Sequence, residues 1–245
     1  MISAIASKPR RMSQDLTTFS VPLFPLGTVL YPGGLLPLQI FEVRYLDMIG
    51  KCHRSGSPFG VVTLTKGSEV RKLDAGHPNS DGFADEAFHP VGTLATITEL
   101  SSPQPGLLVI RCTGTQRFRM ASYDRLQLGQ WFASAQPLDD DVRMKIPDDL
   151  RHVATALGNL INTLHARDLA PEQMPMLPPY QLDDCGWVAN RWCELLPMAL
   201  DQKHRMMARS PWKKMRCGPA DLPGVFDTNP LSSVRSFRDR AIPAE

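Results

Sequence analysis

Between Val21 and Tyr45 the chain reads VPLFPLGTVLYPGGLLPLQIFEVRY, with four prolines and three glycines among dense apolar residues. Proline fixes φ and lacks a donor, and it pushes the residue before it to extended backbone. A long helix is therefore excluded. The apolar density equally excludes a solvated linker. What remains is a set of short strands joined by turns. Pro22, Pro25, Pro32 and Pro37 set extended backbone, and Gly33 and Gly34 allow the turn into the next strand. Leu35 to Phe41 is expected as a strand, with Pro37 marking it as an edge or bulge.

The rest of the chain divides by period. Val43 to Cys52 places Val43, Leu46 and Ile49 at helical spacing and predicts one short helix, with Phe41, Tyr45 and Leu46 anchoring it on the sheet. Strands are expected at Pro58 to Thr65, Val91 to Leu100, Gly106 to Gly114, Thr115 to Ser122 and Gln130 to Leu138. Lys66 to Pro90 is polar and rich in Gly and Asp, so it reads as a long exposed loop. From Pro147 the period becomes helical, with Leu150, Val153, Leu157, Leu160, Ile161 and Leu164 on one stripe. Asp183 or Asp184 can cap the next helix, CGWVANRWCELL, and ALDQKHRMMAR and SPWKKMRCG read as two more. The expected organisation is a mobile leader over 1–18, a β-rich subdomain over 19–141, a helical subdomain over 142–218 and a disordered tail over 219–245.

Composition excludes several classes. With 42% hydrophobic and 21% charged residues the chain reads as globular, and a formal net charge of +2 is too small to imply nucleic acid. No stretch approaches the ~20 apolar residues of a membrane span, and the N-terminus has no signal-peptide core. Five cysteines at irregular spacing without a C-x-x-C fit a reducing compartment, and the cytoplasm is expected. Neither a nucleophile elbow nor a phosphate-binding glycine loop is present. Asp74, His77, Asp81, Asp85, Glu86 and His89 match no metal-ligand spacing, so no metal and no cofactor are expected. Arg111, Arg117 and Arg119 with Phe118 on adjacent strands offer a weak case for single-stranded nucleic acid.

Taken together, PLFPLGTVLYPGGLLPLQIFEVRY, FGVVTL, VGTLATITEL, LVIRCTGTQRFRM and ANRWCELLPMALDQKHRMM closely resemble, in this order, the N-terminal substrate-binding domain of Lon-type proteases. The resemblance covers Val21 to Gly218. It implies an α+β fold: an N-terminal PUA-like pseudo-barrel β subdomain followed by a C-terminal helical bundle. On this resemblance Pro25, Pro32, Gly33, Phe41, Glu42, Arg44 and Tyr45 are family-motif residues with structural roles. Arg44 is expected to bridge carbonyls left unpaired where strand meets helix.

The resemblance also implies a function. Lon proteases carry an ATPase and a Ser/Lys peptidase module after this domain, and this sequence has no Walker A loop and no room for either. The expectation is a non-catalytic module binding unfolded or tagged polypeptide, or a dedicated protein partner. The alternative is an RNA-binding PUA-like module. A partner site is expected at the junction of the two subdomains, with the Lys66 to Pro90 loop at its rim and Phe83 and Phe88 as contacts. Oligomeric state is not legible in the sequence.

Overall fold

The computed structural model describes residues 18–69, 85–126, 129–167, 169 and 173–209. The leader, the tail, the SPWKKMRCG helix and Phe83 lie outside the described residues. The fold is α+β. Six strands, β1 (Phe19–Leu26), β2 (Leu35–Ile40), β3 (Phe59–Lys66), β4 (Ala87–Gln104), β5 (Leu107–Arg125) and β6 (Trp131–Pro137), form one sheet, with α1 (Val43–Ser55) between β2 and β3. A 3-10 turn, Asp148–Leu150, leads into α2 (Arg151–His165), followed by α3 (Cys185–Leu195) and α4 (Leu200–Met207).

The sheet runs β2-β5-β4-β3-β1-β6, and β6 also pairs with β5, so five strands close a ring. It is a pseudo-barrel, not a regular barrel, because closure is confined to one end. There β6 bridges Phe19–Leu23 of β1 and Phe118–Arg125 of β5. At the other end β5 carries β2 instead, pairing Leu107's neighbour Leu108 through Thr113 with Ile40 through Leu35. β2 makes no ladder to β1, so the ring is split on that side. β1 and β3 are parallel, which requires the long crossover that β2 and α1 supply.

Two strand expectations change. Gly106–Gly114 and Thr115–Ser122 are a single strand, β5, whose continuity lets it serve β2 with one half and β6 with the other. The expected loop ends earlier than Pro90: β4 begins at Ala87, and Phe88 is a core residue at 9% exposure, packed against Tyr123 and Trp131 with ring centroids 5.0 and 5.4 Å away. The Phe88 side chain is thus part of the sheet interior and not a loop-rim contact. The helix α1 is also rotated from its expected stripe. It buries Arg44, Tyr45, Met48, Ile49 and Cys52, while Val43 is 72% exposed and Phe41, expected as an anchor, is 57% exposed. Gly56 at φ 65° ends the helix in the left-handed conformation that glycine tolerates.

The helical half follows its stripe. α2 buries Val153, Leu157, Leu160, Ile161 and Leu164 against α3, and the Trp192 indole donates to the Val153 carbonyl at 3.1 Å. Asp184 caps α3 by accepting from the Trp187 N–H at 2.7 Å. A separate apolar cluster joins the two halves: Val29, Tyr31 and Val91 from the sheet side meet Cys193, Met206 and Met207 from α3 and α4.

Inside the ring, Gly60 and Gly92 make room for the Phe118 ring. A Cβ at Gly92 would stand 2.5 Å from the Val61 carbonyl oxygen and 2.7 Å from the Phe118 ring edge. Gly92→Ala is expected to lower stability by about 1–3 kcal/mol, the usual cost of overpacking a closed core. Urea unfolding measures it, and an unchanged midpoint contradicts this packing.

Candidate functional site

The site is built by the Pro/Gly segment. After Leu26 the chain leaves β1 and arches over residues 27–34 before entering β2. Polar side chains from β3 and β4 hold the arch: Thr63 donates to the Thr28 carbonyl at 3.1 Å and Thr93 to the Leu30 carbonyl at 2.7 Å. The Tyr31 hydroxyl donates to the Lys203 carbonyl of α4 at 2.6 Å. Gly33, at φ 72°, turns the chain into β2, with its N–H on the Gly114 carbonyl at 2.7 Å. A side chain at Gly34 would collide with the Glu194 carboxylate and come within 2.9 Å of the Tyr31 carbonyl oxygen. Glycine is required there by close approach.

Arg191 on α3 completes the arch. Its guanidinium donates to the carbonyls of Gly33 and Pro32, the latter at 2.9 Å, and to Glu194 at 3.0 Å. The Lys203 ammonium donates to the Glu194 backbone carbonyl at 2.8 Å. Two helices are thereby fastened to the turn that precedes the edge strand. Burial pushes the Glu194 carboxyl up to about 7 from the ordinary 4.5, against the pull of Arg191 and Lys203.

Between arch and edge strand lies a cavity of about 330 Å³, walled by Leu26–Leu30 on one side and Leu35–Leu38 on the other, with Glu194 and Lys203 at its inner end. A second cavity of about 80 Å³ continues along β2 past Phe41 to Tyr45. Leu26, Leu38 and Glu69 line both, so the two form one groove. The groove is the split in the ring, where the end of β1 and the free edge of β2 face each other without pairing. Exposed Phe41 and Val43 extend its apolar surface at the α1 end.

Pro22 and Pro25 lie within β1, Pro32 in the arch and Pro37 in β2. Arg44 binds carboxylates more than carbonyls, which corrects the expectation: Nε donates to Glu42 at 2.9 Å, the terminal nitrogens to Glu86 at 3.2 Å, and among the described residues only Gly129 offers a carbonyl, at 3.3 Å. Glu86 also accepts from the Trp131 indole at 2.6 Å. Tyr45 stacks on Phe24 with centroids 4.1 Å apart, under the Arg44 guanidinium. These contacts hold α1 and the start of β4 to the sheet.

Of the acidic group read in the loop, Asp74, His77 and Asp81 lie outside the described residues, and the other three have separate partners. Asp85 pairs with Lys66 at 3.3 Å, Glu86 with Arg44, and His89 stacks on His204 at 3.8 Å while contacting Asp201. Among the described residues no three His, Cys, Asp or Glu side chains stand together as a metal site. Arg117 is buried, bound to Asp141 at 2.7 Å and to the Met207 and Asp139 carbonyls, and Arg111 pairs with Glu99. Burial pushes the Cys112 thiol up to about 12 and raises Cys52, which suits packing and not nucleophilic attack. No helix among the described residues is long and apolar enough to cross a membrane. Sequence reasoning missed Arg191, Glu194, Lys203 and Glu69; only their placement in the fold reveals them.

The Glu194 environment predicts a pH dependence. A carboxyl held above its unfolded value contributes stability that is fully present below about pH 4.5 and is lost as pH rises through about 7. Wild type is therefore expected to lose more stability across that window than Glu194→Gln. Urea midpoints at several pH values decide this, and parallel profiles contradict it.

Comparison with known proteins bears on this geometry. Residues 20–215 match the ATP-dependent protease La (LON) substrate-binding domain family. A Lon N-terminal domain protein from Xanthomonas campestris superposes with a TM-score of 0.62 at 27% identity, covering 84% of this chain and 99% of that one. The N-terminal domain of a Mycobacterium avium complex Lon protease superposes at 0.50, with 12% identity over 81% of this chain and 95% of that chain, a likeness of fold alone. The Lon protease of Flavobacterium johnsoniae is 26% identical over 110 residues, which are 44% of this chain. The match spans 12% of that protease's length.

Proposed function

The chain belongs to the Lon substrate-binding domain family, and from that premise we propose that it is a non-catalytic module that binds unfolded or tagged polypeptide. The observation that carries the reading is the groove of about 330 Å³ beside the free edge of β2, apolar along most of its length. An edge strand beside an apolar cleft suits an extended peptide. The backbone edge supplies hydrogen bonds, and the cleft receives side chains. A partner there would also touch α3 and α4 through Glu194 and Lys203. A reducing compartment, the cytoplasm, fits the free and buried thiols of Cys52, Cys112, Cys185 and Cys193. The RNA-binding alternative has less support, since Arg117 is buried in contacts to Asp141 and to backbone carbonyls and Arg111 pairs with Glu99.

The test uses fluorescein-labelled unfolded casein and fluorescence anisotropy. Leu38 lines both parts of the groove. Leu38→Asp is expected to weaken binding about tenfold or more, because it places a charge where apolar side chains must be buried. Equal binding by a variant with an unchanged melting temperature moves the site elsewhere. The non-catalytic half of the proposal has its own check. Protein incubated with ATP, and separately with unfolded casein, should turn over neither above blank rates. Hydrolysis that survives purification and disappears on a point substitution in this chain overturns it.

A further inference from the structure

Charged side chains line the groove at definite positions. They are Glu42, Glu69, Glu194 and Lys203. Glu42 is paired with Arg44 at 2.9 Å, and Glu194 with Arg191 at 3.0 Å. Lys203 turns its ammonium inward to the Glu194 carbonyl. Glu69 differs. Its Oε1 accepts from the Gly27 N–H at 2.6 Å, and no cation among the described residues lies within ion-pair distance of it. An N–H offers only a partial charge, so among the described residues Glu69 is the lining carboxylate without a side-chain cation, and it is exposed to solvent and to any occupant.

The place of that carboxylate matters. Glu69 borders both compartments, together with Leu26 and Leu38. An extended segment lying along β2 presents every second side chain on one face. Such a face can send apolar side chains into both compartments, and the chain between them passes Glu69. An acidic occupant meets repulsion there. A lysine or arginine meets a carboxylate already oriented by the Gly27 N–H.

We infer that the groove selects extended apolar segments carrying a basic residue, and that Glu69 is the residue that reads the charge. This inference rests on the groove being the polypeptide site proposed above. Charge complementarity at one rim position adds little area but discriminates among apolar segments of equal fit.

The experiment uses three short fluorescent peptides of one apolar sequence that differ only in a central lysine, glutamine or glutamate. Each is titrated with the full chain as wild type, Glu69→Gln, Glu69→Lys and Leu38→Asp, with circular dichroism to verify folding. Glu69→Gln keeps an acceptor for Gly27 and removes only the charge. For wild type the lysine peptide is expected to bind about fivefold more tightly than the glutamate peptide, in line with one exposed ion pair gained against one repulsion. That order should flatten in Glu69→Gln, invert in Glu69→Lys and shrink at high salt. A charge preference that is absent, or that is the same in all Glu69 variants, overturns the selectivity. If Leu38→Asp still abolishes binding in that case, polypeptide binding in the groove stands. Peptides that fail to bind wild type, or that bind Leu38→Asp as well as wild type, overturn both.

Discussion

The Arg191 guanidinium is the point on which the arrangement of this molecule turns. It satisfies the carbonyls of Pro32 and Gly33 in a turn that has no ladder partner for them, and it pairs with Glu194 on its own helix. The side chain is 1% exposed. Burying a guanidinium is unfavourable unless its donors are used, and removing one partner of such a group typically costs about 3–5 kcal/mol. The arrangement therefore favours one relation of helices to sheet over its neighbours: α3 can sit only where its arginine finds the turn. The planar fork matters, because two adjacent carbonyls and a carboxylate are reached from one side chain. The Tyr31 hydroxyl ties the arch to α4 at the Lys203 carbonyl, and the Lys203 ammonium ties α4 to α3 at the Glu194 carbonyl.

From that clamp the groove follows. With the turn fixed to α3, the strand leaving it, β2, is delivered to the outer edge of β5 and not to the edge of β1. β6 has already closed the ring at its other end, so the free edges of β1 and β2 face each other across a gap. The arch between them prevents collapse, because Thr63 and Thr93 tie its carbonyls to the neighbouring strands. A second buried ion pair, Arg44 with Glu86, holds α1 and the start of β4 to the sheet. The two arginines do related work at two ends of the same segment: each converts backbone or carboxylate groups that would be orphaned on burial into satisfied ones.

How far the sequence discloses this varies by residue. The strands and helices follow from local period, and the stripe from Leu150 to Leu164 is buried in the α2 region as spacing requires. Pro37 pointed to an edge strand, and β2 is one. Local reading failed where tertiary context overrides it. Gly114 stands where two separate strands were expected to meet, yet it continues β5, with the turn at Gly33 and Gly34 bonded to it from outside. Phe88 looked like part of a polar loop, yet aromatic neighbours on β5 and β6 draw it into the interior. Phe41 sits in an apolar run and ends up exposed, since Tyr45, four residues later, takes the place against Phe24. The contact between Arg191 and Gly33 spans 158 positions, and nothing local to ANRWCELL marks which of its polar residues faces a turn.

A free strand edge beside an apolar cleft invites indiscriminate pairing, and the local chemistry limits it. Pro37 removes one N–H from the β2 edge, so a full ladder with a passing strand cannot form along its whole length. The arch stands across the cleft at Leu26–Leu30, which restricts approach to a segment slim enough to enter. Backbone bonds alone then give an incoming chain little advantage over water. What remains to favour one chain over another is the fit of apolar side chains into the two compartments and the charge that passes Glu69. On the proposed reading, affinity and selectivity would thus be carried by side chains more than by backbone, which is the condition under which a sheet edge can recognise a subset of extended polypeptides instead of adding strands without limit.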